Sequence, residues 1–199
     1  MTVAAIFNSH ERAGVAIAAL SPSDDESLGV AAAAGDVAAF ETLARRYQVP
    51  LLRFLSRFAH RVQDAEDALQ ETFCRLYAGR AAYRKRWRYR TWAFTIARRT
   101  AIDLHRTRTR HESVGTVDAS SVSARAIIDE ADAAELWTLV GRTVSRESAE
   151  ALWLCYVECM PAAEIARVLG RTSISVKTLL FRARRDLKRA ITKSDGGER

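Results

Sequence analysis

Residues 161–191 read PAAEIARVLGRTSISVKTLLFRARRDLKRAI, two helical patterns separated by a glycine turn. Pro161 suits the first position of a short helix over Ala162 to Leu169, Ile165, Ala166 and Leu169 supply its buried side, and Gly170 can take the left-handed conformation that stops it. Thr172 or Ser173 can then cap a longer helix from Ser173 to Ile191, in which Val176, Leu180, Ala183, Leu187 and Ile191 recur at the spacing of one buried stripe. The other face shows Ser175, Thr178, Arg182, Arg185 and Arg189, with Lys177 at the flank. Such a face also suits a generic solvated helix. The tight turn in front of it favours a helix-turn-helix, whose recognition helix reaches base edges with short polar residues at its N-terminal end and holds phosphates with later arginines.

Upstream, the segment from Arg84 to Arg110 holds ten Lys or Arg residues and one acid, Asp103, with Trp87, Tyr89, Trp92 and Phe94 among the charges. Cations attract phosphates whatever the sequence, and aromatic faces give unpaired bases a stacking surface, so the mixture points to nucleic acid. The bland alternative is a cationic helix whose Trp92, Phe94 and Ile96 face a core.

The chain has 199 residues and a formal net charge of +7, enough length for one medium domain or two small ones. The positive excess falls in two blocks, Arg84 to Arg110 and Arg167 to Lys193, which suggests two contacts on one polyanion. Cys74, Cys155 and Cys159 form no paired framework, which fits a reducing cytosol. Cys155 and Cys159 lie one helical turn apart but lack the second ligand pair that zinc requires. No apolar run approaches the roughly 20 residues of a membrane span, and no basic start precedes an apolar core at the N-terminus.

Periodicity divides the remainder into helices. Residues 1–34 are Ala-rich and polar, with SPSDDES at Ser21 to Ser27, and are expected to be a flexible extension. From Asp36, Val37, Phe40, Ala44, Tyr47, Leu51, Phe54 and Phe58 form one stripe, which Pro50 is expected to kink or divide. A second helix is expected to start at the cap Asp64, bury Ala65, Leu69, Thr72, Phe73 and Leu76, and end at Gly79. A third runs from Arg90 to about Arg106, with Ala93, Ile96, Ala97, Ala101 and Leu104 inward. Residues 107–128 lose the period and are expected to be a flexible linker. Helical spacing resumes near Asp129, with Ala133, Leu136, Val140 and Val144 on one side, and another helix is expected at Glu147 to Glu158. The expected fold class is therefore all-α: two small helical domains, 35–106 and 129–192, joined by the linker and followed by a tail over 193–199.

Four segments resemble the extracytoplasmic-function sigma factors, small members of the sigma-70 class of bacterial RNA polymerase initiation factors. They are DVAAFETLARRYQVPLLRFLSRF from Asp36, DAEDALQETFCRLY from Asp64, TWAFTIARRTAIDLHR from Thr91 and EIARVLGRTSISVKTLLFRAR from Glu164, in family order and with family spacing. The resemblance implies a cytoplasmic promoter-specificity subunit with no catalytic residues, cofactor, metal or small-molecule substrate and no direct membrane insertion. It would bind core RNA polymerase, read the two promoter elements as duplex, melt the downstream one and hold the single strand. Asp64, Asp67, Gln70 and Glu71 would dock on the polymerase clamp; helix-dipole and capping chemistry is the local alternative for such acids. Trp87 and Tyr89 would stack on bases, and Arg90, Arg98, Arg99 and Arg106 would hold phosphates, while Trp92 matches the family's core tryptophan. In the C-terminal unit, Arg171, Thr172, Ser173, Ser175, Lys177, Thr178, Arg182 and Arg185 would meet DNA.

The chain departs from the family pattern at several of these places. Arg99 replaces a usual Asn, Leu179 a usual Arg and Phe181 a usual His, and Arg171 and Arg182 would offset the cation lost at 179. Family relatives are often restrained by an anti-sigma protein, which is the further partner implied. The alternative is a stand-alone helix-turn-helix repressor or activator, which would bind a palindromic duplex without polymerase.

Overall fold

The computed structural model describes residues 22–59, 62–112 and 131–195. All elements among these residues are helical, and their contacts form two compact units, residues 22–112 and residues 131–195.

The first unit contains α1 (Pro22–Ala33), α2 (Val37–Phe58), α3 (Val62–Gly79), a 3-10 turn (Arg80–Ala82) and α4 (Tyr89–Glu112). Gly35 takes φ +106°, which lets the Asp36 amide reach back to the Ala31 carbonyl at 3.0 Å and reverses the chain. The Asp36 carboxylate then accepts from the Ala39 amide at 3.0 Å and starts α2. The buried stripe is Leu43, Leu51, Phe54 and Leu55 from α2, packed with Leu76 of α3 and with Ala93, Phe94 and Ala97 of α4. Phe54 and Phe94 meet edge to face at 5.3 Å between centroids.

Several sequence expectations are corrected here. Part of the expected flexible extension, Pro22–Ala33, is a helix packed on α2, while residues 1–21 lie outside the described residues. Its apolar side is mostly alanine and glycine, which carry little hydropathy signal, and its anchor is the buried acid Asp25. Helix α2 runs through Pro50 undivided. The missing amide bond and ring clash cost about 3 kcal/mol, and burial of Leu51, Phe54 and Leu55 beyond the proline offsets that. Helix α3 begins at Val62, so Asp64 lies in its first turn instead of capping it. Leu104 is exposed, because α4 continues past the packed core to Glu112 and takes residues 107–112 from the expected linker. The rest of that linker, 113–128, lies outside the described residues.

The second unit contains α5 (Ala131–Thr143), α6 (Arg146–Tyr156), α7 (Ala162–Leu169) and α8 (Ser173–Asp195). The Ser145 hydroxyl accepts from the Ser148 amide at 3.3 Å and caps α6. Trp137 and Trp153 pack at 4.9 Å between centroids, and the Trp153 indole donates at 3.2 Å to one oxygen of the buried Glu158 carboxylate. Ile165, Val168 and Leu169 of α7 close over Val176, Leu180, Ala183 and Leu187 of α8. Gly170 has φ +67°, and the Arg171 amide reaches the Ala166 carbonyl at 2.8 Å, so the turn ends α7 as its glycine required. Helix α8 continues to Asp195, into the expected tail.

Candidate nucleic-acid interface

The basic loop between the 3-10 turn and α4 is built on an aromatic cluster. Tyr83, Tyr89 and Trp92 pack pairwise at 5.4 to 5.5 Å, and Tyr47 of α2 joins Tyr89 at 5.4 Å. The Tyr83 hydroxyl donates to the Trp87 carbonyl at 2.8 Å and closes the loop on itself. Helix α1 supplies the acids beneath: Asp25 accepts from the Tyr47 hydroxyl at 2.7 Å and from Arg46 at 2.5 Å, and Glu26 accepts from the Tyr89 amide at 3.2 Å. Asp24 takes the other Arg46 nitrogen at 2.6 Å. Burial, then the neighbouring Asp25, holds the Tyr47 phenol far above its ordinary range. Burial does the same at Tyr89, and burial with Glu26 and Asp25 pushes Tyr83 up to about 12. These phenols are structural groups at neutral pH.

The cluster separates the two aromatics expected to stack on bases. Tyr89 is 2% exposed and packed on three rings, so it offers no face to a base, and that expectation is corrected. Trp87 is 37% exposed at the tip of the loop among exposed Arg84, Lys85, Arg86 and Arg88. Trp92, expected in the core, is half-buried and packs against Tyr83 and Tyr89 at the edge of the cluster. Along α4, Arg99 and Arg106 are exposed two turns apart, Arg98 is half-buried, and Arg90 sits at the helix start beside Tyr47.

The four polar residues of α3 share one stripe by helical spacing. Asp67 and Gln70 are exposed, and Asp64 is partly so. Glu71 is already engaged: it accepts from Arg75 at 2.7 Å, while Arg75 also reaches Asp103 of α4 at 2.7 Å. Those two carboxylates raise the Arg75 guanidinium, and the bridge ties α3 to α4. Sequence periodicity missed this bridge and the Asp24, Asp25 and Arg46 cluster, because both join residues far apart in the chain.

On α8, Lys177, Thr178, Arg182 and Arg185 are exposed on one side, and Arg189 follows. Thr172 serves as the cap, accepting from the Ser175 amide at 3.2 Å, and Ser173 and Ser175 are half-buried at the start of the helix. The Thr178 hydroxyl donates to the Ile174 carbonyl at 3.1 Å, so toward a base it can only accept. Arg171 is held by Glu147 through two bonds of 2.9 and 2.8 Å, which raise its guanidinium and turn it toward α6. Ile174 and Phe181 are 78% and 65% exposed on the same helix, an exposure of apolar side chains that the departure at Phe181 did not by itself imply.

Among the described residues no group of three or more His, Cys, Asp or Glu could hold a metal ion. Cys155 lies in α6 with its thiol raised by burial, while Cys159 is exposed beyond the helix end with φ +50°. No helix among the described residues is long and apolar enough to cross a membrane.

Residues 43–111 match the family model described as Sigma-70 region 2, and residues 142–187 match that described as Sigma-70, region 4. The chain is 30% identical over 166 residues to the RNA polymerase sigma factor YlaC of Bacillus subtilis, covering 80% of this chain and 95% of that protein. It is also 30% identical over 161 residues to the ECF RNA polymerase sigma factor SigL of Mycobacterium tuberculosis, covering 79% of this chain and 91% of that one. The fold is similar to that of the sigma factor RpoE in its co-crystal structure with the anti-sigma factor NepR from Bartonella quintana. The TM-score is 0.61 at 22% identity, over 76% of this chain and 93% of that chain.

Proposed function

The chain belongs to the extracytoplasmic-function sigma factors, RNA polymerase subunits that direct promoter recognition and transcription initiation, and from that premise we propose how its own residues divide the work. Asp67 and Gln70, with Asp64 and the free lone pairs of Glu71, dock on core polymerase through the exposed stripe of α3. Residues 22–112 take the downstream promoter element. Trp87 stacks on one displaced base, and Arg99 and Arg106, with Arg90 and Arg98 at the margins, hold the strand. Residues 131–195 take the upstream element as duplex, with Lys177, Arg182 and Arg185 on phosphates and Ser173, Ser175 and Thr178 toward the bases. Thr172 orders the helix end, and Arg171 contributes only if it leaves Glu147.

The observation that carries this division is the lone exposed tryptophan in a loop of four exposed cations. Opening a duplex costs about 1.4 kcal/mol per base step in lost stacking. One base on an aromatic side chain returns about 1 to 3 kcal/mol, so Trp87 offsets about one step and phosphate contacts carry the remainder. Binding energy does the work, and the chain performs no bond chemistry. It acts in the cytoplasm, where polymerase and chromosome are. An inhibitory protein of the anti-sigma kind is the further partner, by extension from the complex in which its structural neighbour was crystallised. Run-off transcription with purified core polymerase is the test. The chain should form a stable complex and start synthesis at a defined nucleotide, and failure to associate with core enzyme would overturn the reading.

A further inference from the structure

Two large apolar side chains stand in solvent on the side of α8 that carries Thr178, Arg182 and Arg185. Ile174 is 78% exposed and Phe181 65%, while Val176, Leu180, Ala183 and Leu187 of the same helix are buried. Spacing puts Ile174, Thr178, Phe181 and Arg185 at i, i+4, i+7 and i+11, one line along the helix directly opposite the buried stripe. Ile174 lies at the N-terminal end of that line, the part of a recognition helix that approaches base edges. Nothing local calls for isoleucine there. A β-branched residue lowers helix propensity, and this one covers almost none of the protein's own surface.

The charge around it selects the occupant. No acid occurs from Ile174 to Arg185, whereas Lys177, Arg182 and Arg185 surround the apolar positions, so the face is complementary to a polyanion. The major groove shows a protein one apolar group per A·T pair, the C5-methyl of thymine, among hydrogen-bonding edges. Ile174 has no polar side-chain atom. Set against cytosine it would cover an N4 amine without supplying an acceptor, and set against thymine it would bury a methyl. The adjacent Thr178 spends its hydroxyl proton on the Ile174 carbonyl and adds no donor that would favour another base. Resting on the assignment of α8 to the upstream promoter element, we infer that Ile174 is a specificity-determining residue that reads the methyl group of one thymine in that element.

Deoxyuridine differs from thymidine by that methyl alone. Core polymerase carrying this chain is assayed on its mapped promoter with each upstream-element thymine replaced in turn by deoxyuridine. At one position the replacement should weaken binding roughly fourfold, the value of about one buried carbon. Ile174→Ala should bind the thymine promoter as weakly as the unaltered protein binds the deoxyuridine one and should lose nothing further on replacement, while Arg182→Ala should keep the fourfold step. Indifference to every deoxyuridine on a promoter that is still transcribed overturns the inference and leaves the sigma-factor reading standing, as does an Ile174→Ala protein that retains the full step. Concentration-dependent self-association that Ile174→Ala abolishes with promoter binding unchanged would assign the patch to a second copy and overturn it too. Absence of any defined start site would instead remove the underlying reading, and this inference with it.

Discussion

At the scale of single residues, Trp87 and Tyr89 show where a sequence stops being informative. Both are aromatic, both are flanked by arginine, and nothing in YRKRWRY distinguishes a ring left exposed from one that holds the loop. The difference comes from Tyr47, Tyr83 and Trp92, which enclose Tyr89 and leave Trp87 at the tip. Opposite phenotypes follow for one kind of substitution. Trp87→Ala should leave closed-promoter binding unchanged and lower strand opening, read as permanganate reactivity of unpaired thymines. Tyr89→Ala should instead destabilise residues 22–112 by about 3 kcal/mol or more, the cost of emptying a buried aromatic site, read by urea denaturation. Normal opening with Trp87→Ala would remove it from the melting surface. The same blindness applies to Arg171, whose partner Glu147 lies on a different helix.

Among the elements, legibility followed hydropathy contrast. Helices α7 and α8 were readable because proline, glycine and cap residues punctuate a strong apolar stripe, and their starts at Ala162 and Ser173 are those the sequence gives. Helix α1 was not readable, since Gly29, Ala31 and Ala32 carry little signal and its fixing contacts run through Asp24, Asp25 and Glu26 to residues far along the chain. Its close packing makes Gly29 informative. A Cβ there would stand 2.5 Å from Tyr83 Cε1 and 2.9 Å from Tyr89 Cδ2, inside contact distance of two rings that their own neighbours hold in place. Alanine in place of glycine inside a helix is worth about 1 kcal/mol of added stability. Overpacking a filled site costs about 1 to 3 kcal/mol, so the steric effect should win. Gly29→Ala is expected to lower the urea midpoint of residues 22–112, against the direction helix propensity gives. An increase would mean that α1 shifts easily on the aromatic cluster.

At the scale of the molecule, the two basic blocks and the helical order of the described residues were visible in the charge and the period, while the acids that organise the first unit were not. Those acids and the buried phenols set an alkaline limit. In the unfolded chain each tyrosine loses its proton near pH 10, whereas folding raises Tyr47, Tyr83 and Tyr89 above that value. Tyr47 faces Asp25, Arg90 and Tyr89, Tyr83 faces Glu26 and Asp25, and Tyr89 faces Tyr83 and Asp25, so only Arg90 opposes the shift. A raised folded pKa contributes stability that is complete below the unfolded value and lost above it, because the unfolded state then binds fewer protons. Stability of residues 22–112 should therefore be insensitive to these groups at neutral pH and fall above about pH 10, by about 1.4 kcal/mol per pH unit for each of Tyr47 and Tyr89. Tyr83 should stop adding to the slope near pH 12, where its folded form titrates. Tyrosinate absorbance rising together with unfolding would bear this out, and three phenols titrating near 10 in a folded protein would refute it.

The charge distribution makes a second demand on the whole molecule, that its two units respond to salt differently. Affinity for duplex falls with log salt by about 0.9 per phosphate contact, and for single strands by about 0.7. Replacing both Arg182 and Arg185 with Ala should flatten the slope for the upstream duplex by about 1.8, less whatever Asp186, 3.3 Å from Arg185, already neutralises. Replacing Arg99 and Arg106 should leave that duplex slope unchanged and flatten the slope for a melted downstream strand by about 1.4. The crossed result, each pair altering the other substrate, would exchange the assignments of the two units. An effect of neither pair on either slope would take these arginines off the DNA altogether, since a guanidinium that displaces no counterion holds no phosphate.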